Sequence, residues 1–407
     1  MRLLVVLSRP PYPLEKGDKL RAYHLVKRLA DKHEIFLFCL SDQRVKPADE
    51  EHLRGICAHL RIVHIPLWRI LLRMAAAPFS RLPYQVSYFH HRHAQKAINR
   101  VIDTFQPDHV LCQLVRTTEY VRHRYDLAKT LDYMDTLSKG MERRARNNPF
   151  PFRLLLKTET RRLIAYENLM FDLFDNQVII SAQDRDLLYH PDREHMLVVP
   201  NGVDTEYFTP REAPKTHDLL FTGNMNYPPN IDSVLFLVHH VLPLVHARRP
   251  GTTLMIAGAD PDQRVRKLAT DHPEVTVTGW MKDIRQAYAS AHVFVAPMQI
   301  GTGLQNKLLE AMAMGMPCVS SDLANNAVGA APGEAILIGH EPQEYADHIL
   351  HLLHHGAERE RLAGNGQRFV RNSFNWDVAA HRLHALMRQP AMASPAASPM
   401  PPAPDQA

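Results

Sequence analysis

Residues Ala296–Ser321 read APMQIGTGLQNKLLEAMAMGMPCVSS. The order is strand end, glycine loop, helix, glycine stop and new strand. In Ile300-Gly301-Thr302-Gly303 the glycines carry no Cβ, so backbone N–H groups can come close to a ligand. A helix over about Gly303–Met314 would aim its positive dipole end at that point, which suits a phosphate. At about 100° per residue, Gly303, Asn306, Lys307, Glu310 and Met314 share one face, and Leu304, Leu308, Ala311 and Met312 share the opposite, apolar one. The first face carries an ammonium one turn into the helix and a carboxylate three residues further on. The ammonium can reach a diphosphate and the carboxylate can take two ribose hydroxyls. The window also reads as a buried helix with a surface Lys–Glu pair at i,i+3.

Other strand ends carry similar turns. Pro200-Asn201-Gly202-Val203-Asp204 follows Met196–Val199, and Phe221-Thr222-Gly223, Ala257-Gly258-Ala259-Asp260 and Thr278-Gly279-Trp280 end three more strands. In the first half, strands are expected at Leu3–Leu7, Ile35–Leu40, Ile62–Ile65, Val110–Leu114, Thr130–Leu131 and Val178–Ile180. The clearest helices between them are Leu20–Ala30, Ala94–Phe105 and Leu154–Phe174. In the second half strands recur near 197, 219, 254, 275, 293, 318 and 336. Short apolar strands separated by helices imply parallel sheets covered on both faces. Two in series give two Rossmann-like α/β domains with ligands at the carboxyl ends of the strands.

The ordered set VVPNGVD, FTGNM, MIAGAD, VTGW, FVAP, GTG and KLLEAMAMGMP resembles the C-terminal domain of GT-B glycosyltransferases, and within them the retaining family 4. It is similar in particular to the bacterial sugar transferases of exopolysaccharide and PEP-CTERM/exosortase gene systems, as is PPYPLEKGDKLRAYHLVKRLA at Pro10–Ala30. The resemblance covers roughly residues 1–385. It implies two Rossmann-like domains facing a cleft, with a C-terminal helix crossing back to the first. The expected division is 1–190 for the acceptor side, 191–370 for the nucleotide sugar and 371–388 for the crossover helix. The tail 389–407, rich in Pro, Ala and Ser, is expected to be disordered.

The resemblance implies transfer of a hexosyl group from a nucleotide diphosphate sugar to a glycan or lipid-linked acceptor, with retention. The growing charge sits on the leaving phosphate, so fixed donors aimed there matter most. Gly17 matches the first-domain glycine loop; Asp18 also reads as a helix N-cap. Gly223 and Asn224 match the next donor loop, although Asn224–Asn230 stands where related enzymes often read GRLxxxKG, so the usual Arg and Lys are missing. Glu310 matches the ribose glutamate. Thr302 stands eight residues earlier in place of a first glutamate, with its hydroxyl and the N–H groups of Gly303 and Leu304 as substitutes. Lys307 is the candidate for the lost phosphate charge, or else a solvent lysine. No histidine follows the central strand Val110–Leu114, and Gln113 or Arg116 takes its place. Asp135 reads either as a cleft residue or as the N-cap of a helix over Thr136–Arg146, and Asp204 as a turn residue. Asp184-Arg185-Asp186 spells DxD at a helix start, where acids suit the dipole, and no metal is expected there or elsewhere.

The 407 residues, 45% hydrophobic and 22% charged, fit an ordinary two-domain globular chain. Cys39, Cys57, Cys112 and Cys318 form no CxxC pair and read as reduced thiols of a cytosolic protein. The 25 histidines show no HExxH spacing and read mostly as solvated surface residues. No apolar run approaches the ~20 residues of a spanning helix. Neither a cofactor nor a nucleic-acid partner is expected. From Leu67 to His93 the chain carries Arg69, Arg73, Arg81 and Arg92 but no acid, beside Trp68, Ile70, Leu71, Leu72, Met74, Phe79 and Tyr84. This fits an interfacial helix on the anionic inner membrane surface, or a helical excursion with snorkelling arginines. Two other functions remain open: a non-catalytic nucleotide-sugar-binding subunit, and a nucleotide-sugar 2-epimerase of the same fold.

Overall fold

The computed structural model describes residues 1–146, 148–300 and 304–388. The expected tail 389–407, Thr302 and Gly303 therefore lie outside the described residues. Two compact units are present. The first holds Met1–Ile179, Arg185–Val199 and the chain from Ala380; the second holds Ile180–Asp184 and Pro200–Ala379.

The first unit contains β1 (Arg2–Leu7), β2 (Glu34–Ser41), β3 (His59–His64), β4 (His109–Gln113), β5 (Ala128–Met134), β6 (Asn176–Ile179) and β7 (Leu197–Val198). Its helices are α1 (Gly17–Leu29), α2 (Pro47–Arg54), α3 (Leu67–Ala76), α4 (Tyr84–Phe89), α5 (Arg92–Phe105), α6 (Leu137–Arg146) and α7 (Phe152–Leu173), with α8 (Ala182–Asp186) at the passage between units. All strand pairs are parallel, in the order β3-β2-β1-β4-β5-β6-β7. Strands such as β4 are buried throughout because helices cover both faces, which is why they read as unbroken apolar runs. The strand expected near 197 belongs here and not to the second half: Leu197 pairs with Val178, and the Val199 N–H donates to Ile179 O at 2.8 Å.

The second unit contains β8 (His217–Thr222), β9 (Leu254–Ala257), β10 (Val275–Gly279), β11 (Ala291–Ala296), β12 (Cys318–Ser320) and β13 (Leu337–Ile338), ordered β10-β9-β8-β11-β12-β13 and again parallel. Its helices are α9 (Pro228–Phe236), α10 (Leu242–His246), α11 (Gln263–Asp271), α12 (Arg285–Ser290), α13 (Asn306–Ala313), α14 (Asp322–Asn325), α15 (Pro342–His354), α16 (Gly356–Ser373) and α17 (Trp376–Met387). A π-turn over Leu237–Val241 joins α9 to α10, just before Pro243 removes a backbone donor. The chain returns to the first unit at Ala380, partway along α17.

In each sheet the strand order reverses beside the first strand, between β1 and β4 and between β8 and β11. Such reversal points leave a crevice at the carboxyl ends of the strands. Gln113 ends β4, and Thr222 and Ala296 end β8 and β11.

Most histidines lie at least partly at the surface, as expected, with five exceptions. His24, His33, His91, His109 and His190 are buried. Each finds a partner, as in His109 Nε2 to Thr130 Oγ1 at 2.8 Å. Burial lowers His33 and His109 to about 4, so both stay neutral near pH 7. All four cysteines are free and buried.

Candidate functional site

The second unit gathers its polar groups at the ends of β8 and β11. Gly223 follows β8 with φ +153°, and a Cβ there would meet Asn230 Nδ2 at 2.6 Å. Asn230, on α9, is buried over that glycine. Its Nδ2 donates to Asn224 O at 2.8 Å and its Oδ1 accepts from Lys307 Nζ. Asn224 itself is exposed and turns the chain, its Oδ1 accepting from the Asn226 N–H at 2.8 Å.

Helix α13 begins at Asn306, not near Gly303, because Gln305 has non-helical φ and ψ. Lys307 is therefore the second helical residue and lies in the first turn. It is half-buried, with Met298 Sδ at 3.5 Å and its ammonium 4.9 Å from the centre of the Phe221 ring. Glu310 does not pair with it. Tyr288, fully buried, donates its hydroxyl to Glu310 Oε2 at 2.8 Å and shares a bond of 2.8 Å with Thr222 Oγ1. The surface Lys–Glu pair is thus excluded: each charge turns to a neutral neighbour. Among the described residues Lys307 has no carboxylate within ion-pair distance, and Glu310 Oε1 has no hydrogen-bond partner. Among the described residues Asn306 Oδ1, too, is buried without a partner. Met314, expected on the polar face, is buried in the core, and Leu304 packs against it.

Burial dominates both ionisations. It lowers the Lys307 ammonium to about 7, against the pull of Glu310. It raises the Glu310 carboxyl to about 7, against the Tyr288 hydrogen bond and the Lys307 charge. A cation held by an amide oxygen, a thioether and an aromatic face is under-compensated and would gain from an anion.

In the first unit, a Cβ added to Gly17 meets nothing within 4 Å, so protein packing does not demand glycine there. Gly17 opens α1, whose N-cap is Lys16, not Asp18; Asp18 instead pairs with Arg9 at 3.2 Å. Gln113 is buried and its Nε2 donates to Asp18 O at 3.2 Å. Arg116 donates from Nε and Nη2 to Gln85 Oε1 at 3.0 and 2.7 Å, and lies 5.9 Å from the Phe89 ring centre. Burial and the nearby Arg9 lower its pKa from the ordinary value. Gly17, Gln113 and Arg116 thus share the carboxyl end of the first sheet. Asp204 accepts from the Tyr207 N–H at 3.0 Å, as a turn residue does. Asp184 of the DxD string is buried and bonded to Ser181 Oγ at 2.6 Å.

The sequence alone does not single out Asn230, Tyr288, Phe221 and Met298. Asn230 had a signal, since it closes the stretch that replaces GRLxxxKG. The others are ordinary core residue types whose role depends on what packs over them.

Residues 216–355 match the family described as glycosyl transferases group 1. A Klebsiella pneumoniae protein described as an uncharacterized 44.6 kDa protein in the cps region is 22% identical over 396 residues, covering 92% of this chain and 96% of the relative. A phosphatidyl-myo-inositol mannosyltransferase of Mycobacterium tuberculosis is 31% identical over 205 residues, which are 46% of this chain and 52% of the relative. The matched region thus spans about half of that mannosyltransferase. Among solved structures, sucrose-phosphate synthase from Thermosynechococcus elongatus superposes with TM-score 0.67 at 16% identity, covering 96% of this chain and 99% of that one. Anabaena HepE, solved with UDP, gives 0.65 at 14% identity, with 95% and 99% covered. The fold is GT-B, and with the group 1 domain in its second unit it defines a glycosyltransferase. Gly223, Asn230, Tyr288, Lys307 and Glu310 all fall within the matched region.

Proposed function

We propose that the protein is a retaining hexosyltransferase that takes a nucleotide diphosphate sugar and extends a glycan or lipid-linked acceptor in surface polysaccharide assembly. One observation carries this reading: α13 presents a half-buried ammonium and a half-buried carboxylate that form no ion pair with each other and turn to Asn230 and Tyr288. Lys307, steadied by Asn230, would meet the diphosphate, and Glu310 Oε1 would accept ribose hydroxyls while Tyr288 fixes Oε2. Gly223 would let the backbone approach the phosphates, with Thr302, Gly303 and the Leu304 N–H completing the loop. Gln113 and Arg116 would face the reacting sugar or acceptor. The cps-region relative supports a polysaccharide role. A non-catalytic nucleotide-sugar-binding subunit is the second reading, favoured by Thr302 in place of a first glutamate.

The two ionisations near 7 have opposite consequences for donor binding. A bound diphosphate favours charged Lys307, so above pH 7 the complex holds more protons than the free protein and affinity falls as pH rises. Ribose hydroxyls favour charged Glu310, so below pH 7 the complex holds fewer protons and affinity falls as pH drops. Calorimetry with a nucleotide sugar should therefore give an affinity maximum near pH 7, with limbs approaching about tenfold per pH unit. Lys307→Met should flatten the alkaline limb and Glu310→Gln the acid limb. A flat profile in the wild-type protein overturns both roles.

Catalysis is proposed to need no metal, because Lys307 and loop N–H groups supply the charge a divalent ion would bring. Turnover should survive excess EDTA; loss restored by Mg²⁺ or Mn²⁺ contradicts this.

The inner membrane face is the proposed partner surface, through residues 67–93. On α3 only Ile70 is buried, and Trp68 and Leu72 are 58% and 64% exposed, with Phe79 beyond at 93%. No helix among the described residues is long and apolar enough to cross a membrane. The wild-type protein should float with anionic vesicles at low salt. Replacing Trp68, Arg69 and Arg73 together by Ser should reduce flotation without unfolding. Equal flotation of this variant would place the contact elsewhere.

A further inference from the structure

A groove of about 590 Å³ lies between β3 and α5, away from the carboxyl-end site. Its walls carry Arg61, His64, His93, Lys96 and Arg100, and no acid. Phe36, Val63 and Ala97 supply apolar floor. Lys96 and Arg100 stand one turn apart, so both side chains lie over the same strip of α5. Among the described residues Arg61, Lys96 and Arg100 have no ion pair. The near acid Glu34 is taken by His59 at 3.2 Å, at the other end of β3. Strand β3 closes the sheet, so its outer backbone groups have no strand partner.

Charged residues commonly guard an edge strand, and Arg61 would serve that purpose alone. Guarding does not explain two further cations of the same sign on α5, turned towards a concavity without a counter-charge. The strand that lines the groove also leads along the chain into the apolar helix. His64 ends β3 and His93 Nε2 donates to its carbonyl at 3.2 Å. After Ile65 and Pro66 the chain enters α3, with Leu67, Trp68, Leu71 and Leu72 exposed. These four span about 140° of the helix circumference; Arg69 follows about 60° beyond Leu72, while Ile70 and Arg73, whose Nη2 donates to His90 Nδ1 at 3.2 Å, lie on the side turned to the fold.

We propose that this groove receives the phosphate headgroup of an anionic lipid, while α3 inserts its apolar sector beside it. The phosphate would be held by Arg61, Lys96 and Arg100, and the glycerol end would lie on the apolar floor. A headgroup pocket beside an insertion helix selects lipid charge, which an apolar helix alone cannot do. The inference rests on the membrane reading above and is independent of the sugar-transfer chemistry.

The test uses the full chain and the variant Arg61→Gln/Lys96→Gln/Arg100→Gln, whose side chains are exposed and can change without disturbing the core. In flotation with phosphatidylcholine vesicles containing phosphatidylglycerol, the variant should partition more than about tenfold less than the wild type. Calorimetry with dihexanoylphosphatidylglycerol below its micelle concentration should show binding to the wild type only, and inorganic phosphate should bind far more weakly. If the wild type floats and the variant floats equally, the groove is not the headgroup site, although the membrane reading stands. If neither vesicles nor the short-chain lipid bind the wild type, both readings fail. If inorganic phosphate binds as well as the lipid, or a polyuronate oligosaccharide binds better, the lipid assignment is overturned.

Discussion

Methionine in place of Lys307 should lower kcat/KM for the nucleotide sugar by about 10²–10³-fold, as loss of a preorganised charge at a leaving group does. The thermal transition should shift little. The reason lies in the free protein, where the ammonium is already lowered to about 7 by burial and, among the described residues, touches Asn230, Met298 and the Phe221 face. Removing it gives up few stabilising contacts, so its benefit falls in the complex, where a diphosphate would restore the missing counter-charge. Methionine keeps the apolar stem beside Phe221 and Met298. Steady-state kinetics and a melting curve on the same preparation check both halves. Full activity would return Lys307 to a packing residue, and a collapse of the melting transition would make it structural.

The second large effect concerns stability. Arg21 and Asp132 form a fully buried ion pair in the first unit, 0% and 2% exposed, with Nε to Oδ2 at 2.6 Å and Nη2 to Oδ1 at 3.2 Å. Arg21 Nη1 also donates to Val199 O at 2.9 Å, and Asp132 Oδ1 accepts from the Met134 N–H at 3.1 Å. The pair thus ties α1, β5 and the segment after β7 together. Arg21→Met would leave a carboxylate buried without its cation, which costs about 3–5 kcal/mol. The double change Arg21→Met/Asp132→Leu should recover much of that loss, because an apolar replacement of the whole pair leaves no unpaired charge. Urea unfolding of the first unit measures both. If the double variant is as unstable as the single, the hydrogen bonds to Val199 and Met134 carry the stability instead of the charge pairing.

The sequence made most of the fold legible through the strand ends. Strands buried on both faces are continuous apolar runs, and the turns after them need glycine or asparagine, as at Gly223 and Gly258. A Cβ on Gly258 would stand 1.7 Å from Gly223 O. Strand β7 is not assignable to its sheet from the sequence because two residues carry no periodic signal, and only pairing with β6, almost twenty residues earlier, assigns it. In the site, helical spacing put Lys307 and Glu310 on one face. It could not show that they would turn apart, since that depends on Tyr288 from α12 and Asn230 from α9. Asp18 looked like a cap because its type suits one. The tertiary pairing with Arg9 overrode that local preference.

The most direct test of sugar transfer is release of nucleoside diphosphate from a panel of UDP-, GDP- and ADP-hexoses. At least one donor should be cleaved by the wild-type protein, slowly to water and faster with acceptor, and Lys307→Met should abolish the release. A nucleotide sugar that binds by calorimetry, yet is never cleaved with or without cell-envelope acceptors, would contradict catalysis and leave a binding subunit.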